Sequence, residues 1–231
     1  PRLGAYAGAA PEHSQRRGQL GPERVGAAQD KATTATLVKA AHDWLAGDVK
    51  ALDPSWYGMA FGAYLGEHAK GEDGGLDTAR MLFNRALATQ DPLVRPVMLG
   101  ALRSVGKPKI AAWILADAKD QRLRPTERLG LVLGVAGNSS TRQMGYDWVR
   151  DNIDKLLQGG GGIFVAQRLP MVFANMCSVE GAQAITRDFG AKLAGQTGQL
   201  ELERTIERVK DCGLLKTARA KEVSMEISKL K

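Results

Sequence analysis

Three histidines, two cysteines and numerous carboxylates are the residues of this chain whose types suit chemistry. Hydrolytic zinc chemistry on a helix needs two His four residues apart. That spacing puts both imidazoles on one face, and a Glu after the first His serves as the base. His13, His42 and His68 offer no such pair: none is followed by Glu, and no two stand four apart. His68, with Glu67 and Glu72 nearby, comes nearest to a ligand cluster, and it reads as the exposed end of a helix. Cys177 and Cys212 match no zinc or redox spacing. They read as two small buried hydrophobes, with a disulfide between them left open. No G-x-S-x-G elbow, C-G-x-C-W context or phosphate-binding Gly-Lys-Ser/Thr occurs. Gly159 to Gly162 is a run of four glycines with no Lys-Ser/Thr behind it, so it reads as a turn and not as a phosphate cradle. Asp and Glu lie at mixed-charge helical spacing, where solvation accounts for them. No catalytic residue, metal ligand or cofactor is therefore assigned within the chain.

Charge gives the next candidates. Lys and Arg number 32 against 25 Asp and Glu, a formal charge of +7, and the excess is local. Arg95, Arg103, Lys107, Lys109, Lys119, Arg122, Arg124 and Arg128 stand against only Asp117, Asp120 and Glu127. Of these, Arg95, Arg103, Lys107 and Arg128 are the candidates for meeting an anionic partner. The competing reading is a solvated surface. The chain lacks the long basic run and interleaved aromatics of a nucleic-acid binder, so no nucleic-acid partner is expected. No run of about 18 apolar residues is present, so no membrane partner is expected either. The chain opens at Pro1 and not at Met, and is expected to be a piece of a longer protein.

The elements that must position these residues are helices. Aromatics make up only 6% of the chain while Ala and Leu abound, which suits helix-on-helix packing better than a sandwich of strands. Residues 1–30 are rich in Gly, Ala and Pro and read as an irregular N-terminal remnant; residues 31–231 read as a helical-repeat domain. Leu37, Ala40, Ala41, Trp44 and Leu45 recur at helical spacing, with Gly47 at the cap position. Asp53-Pro54, Asp91-Pro92, Lys107-Pro108 and Arg124-Pro125 each start a helix, the Asp as N-cap and the Pro in the first turn. Gly74-Gly75 and Gly137-Asn138 break the chain, Ser140 or Thr141 caps the next helix, and Ser178 opens another. Two last helices, 199–212 and 214–230, are expected on either side of Gly213. The aromatics Trp44, Trp56, Tyr64, Phe83 and Trp148 read as core. Roughly ten antiparallel helices joined by short loops predict an all-α fold, a stacked solenoid of HEAT or armadillo type.

Several stretches also follow a family pattern. Asp91-Pro92-Leu93-Val94 starts one repeat, and Arg124-Pro125 leads to Gly134-Val135-Ala136-Gly137-Asn138. Gly145-Tyr146-Asp147-Trp148-Val149-Arg150-Asp151-Asn152 follows, then Phe164, Arg168 and Leu169, then Arg187-Asp188-Phe189, and finally Glu203-Arg204 with Glu207. From about Asp91 onward the sequence resembles the C-terminal domain of the zinc aminopeptidases that include the puromycin-sensitive and endoplasmic-reticulum enzymes and bacterial relatives. It departs at Ile153, where the family has a second Trp, and at Lys229-Leu230, where a terminal Trp-Leu is usual; the first ninety residues match loosely. The resemblance implies a non-catalytic domain that closes over a thermolysin-like zinc domain of the same polypeptide and limits which peptides reach the metal. Zinc is then the cofactor of the parent enzyme alone, and the partners are its catalytic domain and peptide substrates. The family's zinc ligands and base have no counterpart positions here. A free-standing helical-repeat interaction module, and a basic helical nucleic-acid binder, are the alternatives. The compartment, cytoplasm or periplasm, is left open.

Overall fold

The computed structural model describes residues 30–71, 73–104, 106–117, 120–158 and 162–229. The irregular remnant expected at the N-terminus lies outside them but for Asp30. Among the described residues there are ten α-helices and one 3-10 turn, with no strand. No helix among them is long and apolar enough to cross a membrane. The chain divides into two compact units that meet between Leu131 and Val132.

In the first unit, α1 (Lys31–Leu45) begins where the Asp30 carboxylate accepts the Thr33 N–H at 3.1 Å. This satisfies one of the amides that a helix start leaves without a partner. Its buried residues Leu37, Ala40, Ala41 and Trp44 form one stripe. Asp53 caps in the same way, accepting from Ser55 N–H at 2.9 Å, but the turn it starts is the 3-10 segment Pro54–Trp56. α2 (Tyr57–His68) follows directly and packs on α1. Trp44 meets the edges of Tyr57 and Phe61, each with centroids 5.4 Å away. Edge contacts of this kind suit the ring quadrupoles better than face-to-face stacking. Gly74 and Gly75, at φ 66° and 80°, make the left-handed bend before α3 (Leu76–Ala88). α4 (Val94–Ser104) is capped by Asp91, whose carboxylate accepts from Leu93 N–H at 2.8 Å. Pro96 sits in the first turn of α4, where a missing N–H costs nothing. α5 (Pro108–Asp117) and α6 (Pro125–Gly137) open at their prolines as the sequence predicts. α4 packs against α2 and α3, and α3 against α5.

The second unit holds α7 (Arg142–Gln158), α8 (Gly162–Val172), α9 (Val179–Leu193) and α10 (Gln199–Ser228). Its core is a ring cluster in which Tyr146, Phe173 and Phe189 lie 5.1 to 5.4 Å apart between centroids. The Tyr146 hydroxyl reaches out of the cluster and donates to Asp188 at 2.8 Å. Burial and the carboxylate beside it push the Tyr146 phenol far above its ordinary range, so it stays a donor. α10 packs on α9 and α8, and α7 on α8 and α9. Ser178 caps α9 by accepting the Gly181 N–H at 2.8 Å.

Three expectations are corrected here. Gly213 does not divide two helices: α10 runs through it without a break. The glycine is there for space, because a Cβ would come within 2.6 Å of the Ser178 Cα. Cys177 and Cys212 are not two inert hydrophobes. They are half-buried and joined as a disulfide with Cα atoms 4.8 Å apart. Thr141 precedes α7, but its hydroxyl donates to the Val135 carbonyl at 2.8 Å in place of capping. Among the aromatics expected in the core, Trp44, Trp56, Tyr64 and Phe83 are buried, while Trp148 is half-buried.

Candidate functional site

The basic stretch falls on α4, α5, α6 and the loops between them, all within the first unit up to Leu131. Arg95, in the first turn of α4, is committed inside the protein. Its guanidinium forks onto Glu127 of α6, with Nε to Oε1 at 2.7 Å and Nη2 to Oε2 at 2.8 Å. The same group donates to the carbonyls of Leu87 at 3.3 Å and Arg122 at 3.0 Å. It therefore ties the end of α3, the start of α4, and the loop before α6 into one network. Only 12% of the Arg95 side chain and 15% of that of Glu127 remain exposed, so this pair is screened far less than a surface one. The Arg95 hydrogen bonds hold the Glu127 carboxyl below its ordinary range, and the Arg124 N–H adds to the effect against the cost of burial.

Arg103, about two turns further along α4, is exposed. It stands at a small cavity of about 210 Å³ between α4 and α6, which Pro96, Leu99, Gly130 and Glu127 also line. Arg128 is half-buried and donates to the Asp120 carbonyl at 3.1 Å, while its Nε is buried without a hydrogen-bond partner. Lys107 is half-buried ahead of α5, and its carbonyl accepts the Ala111 N–H at 2.9 Å. Arg95 is thus bonded to Glu127, and Arg103 lines the same cavity as that carboxylate. Neither Lys107 nor Arg128 lines the cavity. Asp120, which the sequence sets among the cations, is held low mainly by its hydrogen bonds from Arg122.

A second and larger hollow was not foreseen. It has a volume of about 750 Å³ and lies between α1 and α2, lined by Val38, Lys39, His42, Tyr64, Glu67 and His68 among others. The signal for it was present: Val38 with His42, and Tyr64 with His68, are each four residues apart, so each pair shares a helix face. His68 closes α2 as expected of a helix end, with Nδ1 2.8 Å from the Tyr64 carbonyl oxygen. Among the described residues no three His, Cys, Asp or Glu side chains gather as a metal site requires.

The arrangement offers an exposed arginine beside a small cavity, and a larger hollow lined by two imidazoles and the ammonium groups of Lys31, Lys39 and Lys70. Among curated proteins none matches the chain. A family model does: that of the ERAP1-like C-terminal domain, over residues 2–211.

Proposed function

The chain belongs to the ERAP1-like C-terminal domain family, and from that membership we propose that it is the non-catalytic helical part of a zinc aminopeptidase, shaping the access of peptides to a catalytic cleft supplied by the rest of the polypeptide. The match over residues 2–211 is the observation that carries this reading. An all-α body of short-looped helices supports it, since stacked helix pairs of HEAT type expose long surfaces on which an extended peptide lies. The chain's own residues do not suit the metal. Its three histidines include no pair at the spacing that turns two imidazoles to one ion. Zinc and the removal of N-terminal residues therefore belong to the parent enzyme in this reading.

The peptide-facing roles proposed for Arg95, Arg103, Lys107 and Arg128 then divide. Arg103 is exposed and suited to a peptide carboxylate, with Lys107 and Arg128 adding long-range attraction. Arg95 acts through Glu127 by fixing the wall of the cavity beside Arg103.

The test compares the full-length parent with this chain in an aminopeptidase assay, with and without a zinc chelator. Chelator-sensitive activity in the parent alone is the expected outcome. Activity in neither would leave an interaction module and sink the peptidase assignment. Within the parent, Arg103→Ala should raise KM for acidic peptides several-fold with little change in kcat, because it removes binding that ground and transition states share.

A further inference from the structure

The disulfide between Cys177 and Cys212 closes a loop of 35 residues. It sits at the last packed turn of α10. The buried residues of that helix are Leu202, Thr205, Val209 and Gly213, spaced three or four apart. Beyond Gly213 every described residue of the chain is exposed. The buried apolar side chains holding α10 are thus Leu202 and Val209, with Thr205 between them and Ile206 half-buried beside them. On the other side of the bond, Cys177 has a φ of 39°, a left-handed backbone that residues bearing a side chain rarely adopt. Ser178 follows as the cap of α9, and the α10 backbone at Gly213 presses against it: a Cβ at Gly213 would lie 2.8 Å from the Val179 nitrogen. A strained turn, a helix cap and a glycine contact therefore converge on one covalent bond. Both cysteines are half-buried, and neither is enclosed in the core.

We propose that Cys177–Cys212 is a reversible thiol–disulfide modification site, with dithiol reductants as its reagent class, and that it latches α10 into its seat on α9. In the exchange, a thiolate of the reductant attacks one sulfur of the pair. The Cys177–Cys212 bond breaks and a mixed disulfide forms. The second thiol of the reductant then displaces the protein sulfur. The reductant leaves as a disulfide, and Cys177 and Cys212 each gain one electron and one proton. A closed loop of this length restricts chain release on the order of a hundredfold or more. Burial on α10 ends at Gly213, beside the bond, so the bond restrains the last packed turn. Reduction also frees Cys177 to leave its left-handed conformation. The latch is closed in oxidising surroundings and opens in reducing ones.

Hydrogen exchange on the intact chain tests this, in the oxidised form and after dithiothreitol. Peptide mapping without reductant should first recover the Cys177 peptide linked to that of Cys212. Protection of the α10 amides between Leu202 and Gly213 should then fall on the order of a hundredfold on reduction, while the amides of α7 and of the first unit keep theirs. Cys212→Ser should show the reduced pattern without reductant and no further response to it. Free thiols in protein purified under oxidising conditions would overturn the proposal. So would unchanged protection of α10 on reduction. Loss of protection throughout both units would overturn it as well, since the bond would then be a general staple and not a latch.

Discussion

Arg95 gives most of its guanidinium to Glu127 and the rest to backbone carbonyls, and this decides what it contributes. Sequence reading ranked it with Arg103 because both are cations in one basic stretch. Nothing in the spacing of residues 95 and 127, on different helices, marks them as partners. The pairing comes from how α4 packs beside α6, which local pattern does not encode. Breaking one partner of a largely buried pair leaves the other charge uncompensated, so Glu127→Gln should cost about 2 kcal/mol. The pH dependence has a definite sign. The folded-state pKa of Glu127 lies below its ordinary value of 4.5. Its contribution is therefore fully present above that value and is lost as pH falls through the folded-state pKa. Asp188, held low mainly by Arg187 with help from Tyr146, acts in the same direction. Urea unfolding at neutral and at acid pH should show stability dropping for the native chain and a smaller drop for Glu127→Gln.

At the scale of elements, starts were far more legible than ends. Asp30, Asp53, Asp91 and Ser178 each accept backbone N–H groups at a helix or turn start. Asp53, Asp91 and Ser178 are each visible as a short polar residue before an apolar stripe, because a cap is a local device, whereas Asp30 falls at the end of the stretch read as irregular. Glycine carries no such unambiguous mark. Gly74 and Gly75 do break the chain, with left-handed φ. Gly213 looks the same in sequence, yet stands inside a helix because another backbone lies against it. The cost of replacement separates the two uses. Gly213→Ala should destabilise by about 2 kcal/mol through overpacking against Ser178. Gly190, inside α9, has nothing within 4 Å of the position a Cβ would take. Gly190→Ala should stabilise by about 0.5–1 kcal/mol through helix propensity alone. Thermal melts of the two variants should move in opposite directions; the same sign for both would contradict the packing described for α10.

For the molecule as a whole, the all-α class was readable from helix starts and apolar stripes, because these follow from periodicity, while the family was readable from its resemblance in the residue patterns between Asp91 and Glu207. The division at Leu131 and Val132 was not, since α6 runs unbroken across it and no loop or shift in composition announces it. The disulfide escaped for a similar reason: 35 residues separate its cysteines, and only the return of α10 onto α9 brings them together. That return stops at Gly213, and α10 carries on to Ser228 with Leu214, Leu215, Val223, Met225 and Ile227 in solvent. Side-chain support there comes from within the helix, through Arg219 with Glu222 and Lys229 with Glu226 at 2.6 Å. A helix is costly to nucleate and cheap to extend. The packed turns supply the nucleus, and the distal turns are added one residue at a time, with no buried side chain among the described residues beyond Gly213 to make them cooperative. They should therefore shorten gradually on warming, as a zipper opens from its unpacked side. Far-ultraviolet circular dichroism should then show a sloping loss of helix well before the main transition, and truncation after Gly213 should flatten that slope while leaving the transition midpoint in place.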